Sequence, residues 1–566
     1  MTAKEIRERI LTVVQKNGGH LASSLGAVEI AMALAEVFDP VRDRIVWDVG
    51  HQAYAWKLLT DRKGLSFDTL RKLGGISPFP NPAESAADAA IAGHAGVAIS
   101  VASGYAVARD QRGSGEHVVA VVGDAAIANG TSFEALNNLV STTGKLIVVL
   151  NDNDMSISRP TGALAKMLGG LITNVRYNRV KSAAESAGHK MRLTFLRGVY
   201  HRFESWIKSW FLGNVFFEQF GLRYIGPVDG HDLARLVSAF TVAKEDKRSV
   251  IVHVVTRKGK GFVPAEQDPT GYHGVSAAGS LPCTTWSDCF GKAVCEVARE
   301  DRRIVAITAG MKDGTGLADF AAEFPDRFCD VGIAEGHMVA LAAGMAAGGL
   351  RPVVAIYSTF LQRAIDQVMH DVCIARLPVV FCVDRAGVVG SDGVTHQGVF
   401  DIAMLRTLPN LTICQPKDAE DLKALLAEAV RRDGPTLIRY PRGAAVREAA
   451  VCAAPEDTRT AIFAVGDQVG KANEIARRLG DAEVVPVRYV KPFDQTAVTR
   501  RRAAGMRIVS LENGAVAGGF GESIGADCKF GWPDAFIPHG GVSELERRYG
   551  FDVESIVSAL TSHTER

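Results

Sequence analysis

The chain has 566 residues, and its 64 lysines and arginines nearly balance 63 aspartates and glutamates. This balance gives no electrostatic reason to expect nucleic acid or an anionic membrane surface as the main partner. At ~150 residues per domain, the length predicts three or four domains. The 57 glycines exceed the roughly 40 expected at ~7% usage, which is typical of proteins with many strand-to-helix turns.

The N-terminal residues and the cysteines indicate in which cellular compartment the protein is located. The opening stretch MTAKEIRERILTVV is charged and helical in pattern, unlike a signal peptide. No apolar run reaches the ~18 residues that a membrane span needs. All nine cysteines lie from Cys283 onward, without Cys-x-x-Cys or zinc-like spacing. We therefore expect a cytoplasmic protein with free, buried thiols and no membrane partner.

The first half of the chain alternates buried strands with helices. HVVAVVGD (117–124) and KLIVVLND (145–152) are apolar runs, and the helical piece FEALNNLV (133–140) lies between them. This order predicts a βαβ unit of a parallel sheet, whose ligands bind at the carboxyl ends of the strands. Residues 160–215 have no clear strand pattern. They are either helices and mobile loop over an active site or an ordinary helical insertion.

Two composition breaks divide the rest of the chain, near 275–284 and at 443–460. Between them, RIVAITAG, RPVVAIYSTF, LPVVFCVDRAG, NLTICQPKD and TLIRYPRG form a second strand series. AIFAVGDQV, AEVVPVRYVKPFD and RIVSLENG form a third. We predict an α/β protein with parallel or mixed sheets in three domains, covering residues 1–278, 279–446 and 447–566.

Two polar motifs follow the strands of the predicted βαβ unit. Gly123, Asp124 and Ala125 follow the first strand, and Asn153 follows the second. Mg²⁺ prefers oxygen ligands in octahedral geometry, which Asp124, Asn153, the Met155 carbonyl and diphosphate oxygens can supply. Either motif alone is a common turn sequence. Together they resemble the thiamine-diphosphate motif, with Ala125 where the motif usually has glycine.

A glutamate in the second strand series complements this motif. Glu335 lies in the sequence DVGIAEGH (330–337). A lone glutamate there is usually a surface or capping residue. Beside a thiamine-diphosphate motif, a carboxylate from another domain is expected to contact N1′ of the aminopyrimidine and so favour loss of the C2 proton. We therefore expect the reactive ring to lie between two domains.

From His20 to about Pro538, the chain resembles the transketolase-like family of 1-deoxy-D-xylulose-5-phosphate synthases. The matching stretches are GGHLASSLG (18–26), WDVGHQAY (47–54), GGISPFP (74–80), LNDNDMSIS (150–158), YIGPVDGHD (224–232), RKGKGF (257–262), IAEGH (333–337), YSTFLQRAIDQV (357–368), DRAGVVGSDGVTHQG (384–398), RYPRG (439–443) and FIPHG (536–540). YIGPVDGHD and the 384–398 stretch are specific to this family. Transketolase and dehydrogenase E1 components share the architecture without these strings.

The resemblance implies a transketolase-like fold, thiamine diphosphate and Mg²⁺ as cofactors, and a homodimer. It implies a transferase that condenses pyruvate, with loss of CO₂, with D-glyceraldehyde 3-phosphate. The product, 1-deoxy-D-xylulose 5-phosphate, is a precursor for isoprenoid and thiamine biosynthesis.

The resemblance also assigns roles residue by residue. The implied metal ligands are Asp124, Asn153 and Met155. The implied cofactor shell is His51, Gly93, His94, Ala95, Gly123, Ala125, Ala126, Asn153, Lys258, Phe262, Ile333, Glu335 and Phe360. Glu335, His20, His273 and His396 are the implied catalytic residues. The implied substrate-binding residues, which suit a phosphorylated sugar, are Tyr357, Arg385, Asp392, His396 and Arg442.

Several of these residues have a purely structural alternative. His20 could cap a helix, and Arg385 and Arg442 could form structural ion pairs. Arg363 could pair with Asp366 one helical turn away, and it receives no role.

Three motifs depart from the family pattern. The stretch GHAGVAIS (93–100) has fewer hydroxyls than the usual family stretch, Ala125 replaces a glycine, and Gly336 follows the activating glutamate where glutamine is usual. These changes keep two alternatives open. One is a related carboligase with another donor or acceptor, and the other is a non-catalytic paralogue. Survival of Asp124, Asn153 and Glu335 argues against the second.

Overall fold

The computed structural model describes residues 1–153, 214–279 and 283–562. By internal contacts they form two compact units, one of residues 1–70 and 76–278 and the other of residues 71–75 and 279–566. Met155 and nearly all of the 160–215 segment lie outside the described residues, so the predictions for them stay predictions. Across the described ranges, no helix combines the length and apolar character needed to cross a membrane.

The first unit is built around one parallel sheet. Its strands are β1 (Arg44–Trp47), β2 (Val118–Gly123), β3 (Ile147–Asp152), β4 (Arg223–Asp229) and β5 (Val250–Val255), in the spatial order β1-β2-β3-β5-β4. Its helices are α1 (Ala3–Asn17), α2 (Ala22–Gly26), α3 (Val28–Val37), α4 (Tyr54–Leu59), α5 (Ala98–Arg112), α6 (Asp124–Ile127), α7 (Gly130–Thr142), α8 (Asn214–Gln219), α9 (Leu233–Glu245) and α10 (Val263–Gln267).

The predicted βαβ unit is confirmed in this sheet. β2 and β3 run parallel with Val119 opposite Ile147, and α6 and α7 connect them. β2 is apolar throughout and β3 is apolar from Ile147 to Leu150, because both faces of a parallel sheet are covered by other elements. Their carboxyl ends therefore lie at the same edge, next to Asp124 and Asn153.

The second unit contains two sheets. In chain order its strands are β6 (Ile304–Thr308), β7 (Phe328–Asp330), β8 (Arg351–Tyr357), β9 (Val380–Asp384), β10 (Thr412–Cys414), β11 (Thr436–Arg439), β12 (Thr460–Val465), β13 (Ala482–Val487), β14 (Tyr489–Lys491), β15 (Arg507–Ala515) and β16 (Cys528–Trp532). One sheet has the order β14-β10-β11-β9-β8-β6-β7 and the other β13-β12-β15-β16. β14 pairs antiparallel with β10, so the larger sheet is mixed, and the smaller one is parallel.

Helices cover the sheets of the second unit. They are α11 (Trp286–Glu300), α12 (Ala318–Glu323), α13 (Glu335–Ala347), α14 (Ser358–Leu361), α15 (Ile365–Gln367), α16 (Asp401–Leu405), α17 (Ala419–Ala429), α18 (Val469–Leu479), α19 (Thr496–Ala503), α20 (Phe520–Ser523), α21 (Val542–Arg548) and α22 (Val553–Ser562). The predicted α/β class with parallel and mixed sheets is confirmed.

The cysteines differ in part from the expectation. All nine are free thiols, as predicted. Only Cys295, Cys373, Cys382 and Cys414 are buried, however, while Cys283 is exposed and the others are half-buried. The expectation of uniform burial was wrong because the other five cysteines lie outside the sheet cores: Cys283 and Cys452 in irregular segments, Cys289 on a helix, and Cys329 and Cys528 in edge strands.

Candidate active site

Two of the three predicted metal ligands, Asp124 and Asn153, lie at the carboxyl edge of the first sheet. Asp124 is the first residue of α6, and its Oδ1 accepts a 2.8 Å hydrogen bond from the Ala125 backbone N–H. The Asn153 backbone N–H also donates to this carboxylate. Ala125 is helical and lies outside the left-handed region, so alanine replaces glycine here without backbone strain.

Two buried oxygen atoms at this edge find no hydrogen-bond partner among the described residues. They are Oδ2 of Asp124 and Oδ1 of Asn153. An unsatisfied buried acceptor is costly, and a cation satisfies two of them at once. Burial and the neighbouring Asp152 charge raise the pKa of Asp124 to about 7. Both features fit a hard cation, although the described residues contain no group of three His, Cys, Asp or Glu around it.

Lys258 brings a positive charge toward this carboxylate. Its side chain is buried, and burial lowers the pKa of the ammonium group to about 8, although attraction to Asp124 opposes the shift. A buried ammonium group beside an oxygen-rich site is suited to binding an anionic group such as diphosphate.

Three imidazoles cluster in the same unit. The ring centroids of His20, His51 and His273 are 5.5 to 6.1 Å apart. Burial, with the nearby positive charges, holds the pKa of His51 and of His273 well below the usual range. Both rings are therefore neutral near pH 7 and can each donate and accept a proton.

Asp48 fixes the loop that contains Gly93, His94 and Ala95. Its carboxylate accepts hydrogen bonds from the backbone N–H groups of Gly96, Val97 and Ala98 at 2.9 to 3.3 Å, at the start of α5. A β-carbon on Gly96 would lie 2.5 Å from the Asn129 side chain. The loop therefore depends on glycine at 96 and on the acid at 48.

The remaining predicted cofactor residues of this unit have structural contacts. Gly123 precedes α6, and the Ala126 carbonyl accepts a 2.8 Å hydrogen bond from the Ser132 hydroxyl. The Phe262 ring packs edge-on against Tyr272, with centroids 5.6 Å apart.

Glu335 occupies a buried position in the second unit. It is the first residue of α13 and is 4% exposed. Burial raises the pKa of its carboxyl group, while Arg363, with Nη1 3.6 Å from Oε2, opposes the shift. The preceding turn, with Ile333, is held by Asp330, whose Oδ1 accepts the Gly332 N–H at 3.0 Å.

The predicted substrate residues lie together in the second unit. Tyr357, at the end of β8, stacks on Phe360, and Phe360 contacts the His396 ring edge-on at 5.5 Å. The Arg385 guanidinium lies 3.8 Å from the centre of the Tyr357 ring.

Arg442 forms an ion pair in the same cluster, which is the structural role considered for it as an alternative to substrate binding. Its Nη1 lies 2.7 Å from Oδ2 of Asp392, while Arg71 binds Oδ1 at 2.6 Å. The Arg442 side chain is nonetheless 42% exposed. An exposed guanidinium can exchange its carboxylate partner for an incoming phosphate, so the pair does not exclude the binding role.

Three family models match consecutive parts of the chain. Residues 1–256 match 1-deoxy-D-xylulose-5-phosphate synthase, residues 284–447 the pyrimidine binding domain of transketolase, and residues 451–556 the transketolase C-terminal domain. The 1-deoxy-D-xylulose-5-phosphate synthase 1 of Geobacter metallireducens is 44% identical over 99% of this chain and 95% of its own. The chain belongs to the 1-deoxy-D-xylulose-5-phosphate synthase family.

Other relatives agree with this synthase family. The 1-deoxy-D-xylulose-5-phosphate synthase of Methylacidiphilum infernorum is 45% identical over 98% of this chain and 93% of its own. Among solved structures, transketolase from Campylobacter jejuni is 16% identical, with 99% of this chain and 98% of that chain covered and a TM-score of 0.45. The family model and the synthase relatives confirm the resemblance inferred from the motifs.

Two site residues of this synthase-family chain were missed by sequence reasoning. Arg363 was considered only as a partner of Asp366, yet it reaches the Glu335 carboxylate. Asp48 received no role, although an acid directly after a strand, inside the motif WDVGHQAY, was an available signal.

The departure at Gly336 has a structural counterpart. A β-carbon at this position would lie 3.3 Å from Oε1 of Gln367. The family's usual glutamine would therefore need Gln367 to shift, and Gly336 leaves that space open.

Proposed function

We propose that this chain is a thiamine-diphosphate- and Mg²⁺-dependent transferase that makes 1-deoxy-D-xylulose 5-phosphate and CO₂ from pyruvate and D-glyceraldehyde 3-phosphate. The observation that carries the proposal is the 44% identity to a synthase of this name across 99% of the chain. The matched pyrimidine-binding domain supports thiamine diphosphate as the cofactor. The same family membership supports a homodimer, cytoplasmic location and a place in isoprenoid and thiamine biosynthesis.

Residues of each unit are suited to hold one part of the cofactor. The unpartnered oxygens of Asp124 and Asn153, with the Met155 carbonyl, would bind Mg²⁺. Lys258 and the loop anchored by Asp48 would bind the diphosphate. Ile333, Phe360 and Glu335 would hold the rings. The division of the chain at 278 and 446 is part of the same proposal.

Thiamine diphosphate, when bound, supplies a ring that holds the electron pair left by decarboxylation. Glu335 contributes a carboxyl group whose raised pKa favours the protonated form. A protonated carboxyl can donate a hydrogen bond to an aromatic ring nitrogen. This interaction would fix the tautomer that the reaction needs.

The neutral imidazoles are suited to proton transfer at the substrate carbonyl. His51 and His273 are uncharged near pH 7, so with His20 they would donate a hydrogen bond to the carbonyl oxygen and return the proton later. His396, beside Phe360, would act similarly at the aldehyde end. Arg385 and Arg442 would bind the substrate phosphate, with Tyr357 and Asp392 orienting them.

This function is tested by asking whether release of CO₂ from pyruvate requires glyceraldehyde 3-phosphate. Pyruvate labelled at its carboxyl carbon should release labelled CO₂ rapidly only when glyceraldehyde 3-phosphate is present. Release that requires a different aldehyde would favour the related carboligase, which the altered residues Gly336 and Ala95 keep in view. Absence of any change in circular dichroism on adding thiamine diphosphate with Mg²⁺ would favour the non-catalytic paralogue.

A further inference from the structure

We propose that His231 is a positioning residue that fixes the turn before Lys258 and so sets the affinity for diphosphate. The inference rests on the proposed role of Lys258 as a diphosphate ligand. His231 belongs to the family-specific motif YIGPVDGHD (224–232), none of whose residues has a role in the proposed site.

The contacts of His231 determine which ring nitrogen carries the proton. Its Nε2 accepts a 2.8 Å hydrogen bond from the Arg257 backbone N–H. A backbone N–H can only donate, so Nε2 must be unprotonated. Nδ1 therefore carries the proton, and it lies 3.2 Å from Oε2 of Glu29, which accepts it. The ring thus links a carboxylate on α3 to the residue directly before Lys258.

Glu29 is itself held firmly. Both of its oxygens accept hydrogen bonds from Arg7, at 2.8 and 2.6 Å, in a bidentate pair. Although burial acts to raise it, the hydrogen bonds from His231 and Arg7 lower the pKa of Glu29 to about 2. The carboxylate is therefore charged at neutral pH and keeps the imidazole in the accepting tautomer at Nε2.

The neighbouring glycine lets the motif approach the end of β5. The Gly230 N–H donates to the Val255 carbonyl at 2.8 Å. A β-carbon at Gly230 would lie 2.4 Å from Cγ2 of Thr256. On the other side of Lys258, the Gly259 N–H donates to the Ala22 carbonyl at 2.8 Å. The backbone around Lys258 is therefore fixed both before and after it.

Such fixing matters because the Lys258 side chain is buried and directed by its backbone. Its ammonium group interacts with Asp124 from a position that is 4% exposed. A free lysine side chain loses conformational entropy when it is immobilised. If the turn is already ordered before diphosphate binds, less conformational entropy is lost on binding, and the affinity is higher.

The test compares binding of pyrophosphate with Mg²⁺ to the full-length protein by calorimetry. His231→Phe removes the acceptor, and His231→Gln offers an amide oxygen to Arg257 and an amide N–H to Glu29. We expect His231→Phe to weaken binding about tenfold, or ~1.4 kcal/mol, and His231→Gln to restore most of the affinity. Hydrogen exchange at the Arg257 amide should be faster in the phenylalanine variant. His370→Phe is the matched control, since that ring is 72% exposed and hydrogen-bonds to the neighbouring Asp371, away from the turn at 257–259.

Lys258→Met separates the two ideas. If it leaves pyrophosphate affinity unchanged, the proposed role of Lys258 fails, and the inference fails with it. If it weakens binding while His231→Phe does not, only the inference is overturned. In the Lys258→Met background, His231→Phe should cost nothing further, and a full additional loss would show that His231 acts through another residue.

Discussion

Glu335 and Arg363 form the pair on which the chemistry of the second unit depends. The carboxyl group is buried at the start of α13, and its nearest charged neighbour is a guanidinium at 3.6 Å. Burial raises the pKa of Glu335, and Arg363 limits that rise. The pKa of Glu335 therefore reflects two opposing effects, burial of the carboxyl group and attraction to Arg363.

The substitution Glu335→Gln tests this residue. An amide retains the shape but cannot exchange a proton, so we expect near-normal cofactor affinity with turnover reduced about 10²- to 10⁴-fold. Steady-state kinetics and fluorescence titration of thiamine diphosphate measure the two effects. Turnover close to that of the parent enzyme would remove Glu335 from the mechanism.

Arg442→Ala tests the phosphate end of the substrate site. Loss of a charge-assisted hydrogen bond of ~1.5–3 kcal/mol should raise the KM for glyceraldehyde 3-phosphate roughly 10- to 100-fold, with little change for pyruvate. Arg299→Ala is the control, because Arg299 pairs with Glu323 on an exposed face. An equal rise in both KM values would place Arg442 outside the phosphate site.

At the residue scale, sequence reasoning worked where a motif was local. Asp124 and Asn153 each follow a strand, and the structure brings them together as the parallel topology requires. Arg363 and Asp48 were missed because their contacts, with Glu335 and with the Gly96 loop, span elements that are distant in the chain. Such contacts depend on the packing of whole elements, which single-sequence patterns do not specify.

At the element scale, continuous apolar runs identified the central strands, because strands covered on both faces have no polar alternation. β6, β8 and β9 lie within predicted runs, and β12 and β15 overlap predicted runs except for one end residue each. β1, β4 and β5 of the first sheet were not predicted. β7 and β16 were also missed, since each is short or contains polar residues and lies at a sheet edge. The pairing of β14 with β10 was also beyond prediction, because it links two segments that were assigned to separate domains.

The N-terminus of α5 offers a test at this scale. Asp48→Ala removes the acceptor of three backbone N–H groups, so we expect hydrogen exchange at Gly96, Val97 and Ala98 to accelerate by an amount equivalent to ~1–3 kcal/mol. Asp39→Ala is a matched control, because that exposed aspartate accepts the N–H groups of Val41 and Arg42 in a separate turn. Unchanged exchange at 96–98 would contradict the capping role.

At the scale of the whole molecule, a buried carboxyl group in the last sheet links stability to pH. Glu512 accepts the backbone N–H groups of Phe520 and Gly521 at 2.8 Å, yet burial raises its pKa to about 7. The folded chain then binds this proton more tightly than the unfolded chain. The stabilising contribution is complete below the ordinary glutamate pKa and is lost as pH rises through about 7.

Glu512→Gln should therefore flatten the pH dependence of thermal unfolding. Between about pH 5 and pH 8, the parent protein should lose on the order of a few kcal/mol from this group, and the variant should lose less. Glu522→Gln, on the exposed side of α20, is the control. Parallel melting curves for parent and Glu512→Gln across this range would contradict the assignment.

Product identification tests most directly whether this chain joins pyruvate to an aldehyde. Pyruvate labelled at its second and third carbons would be incubated with glyceraldehyde 3-phosphate, thiamine diphosphate and Mg²⁺, and the products analysed by mass spectrometry. We expect a five-carbon sugar phosphate, 1-deoxy-D-xylulose 5-phosphate, that carries both labelled carbons. A labelled product that lacks the phosphate-bearing carbons, or no labelled sugar phosphate at all, would contradict it.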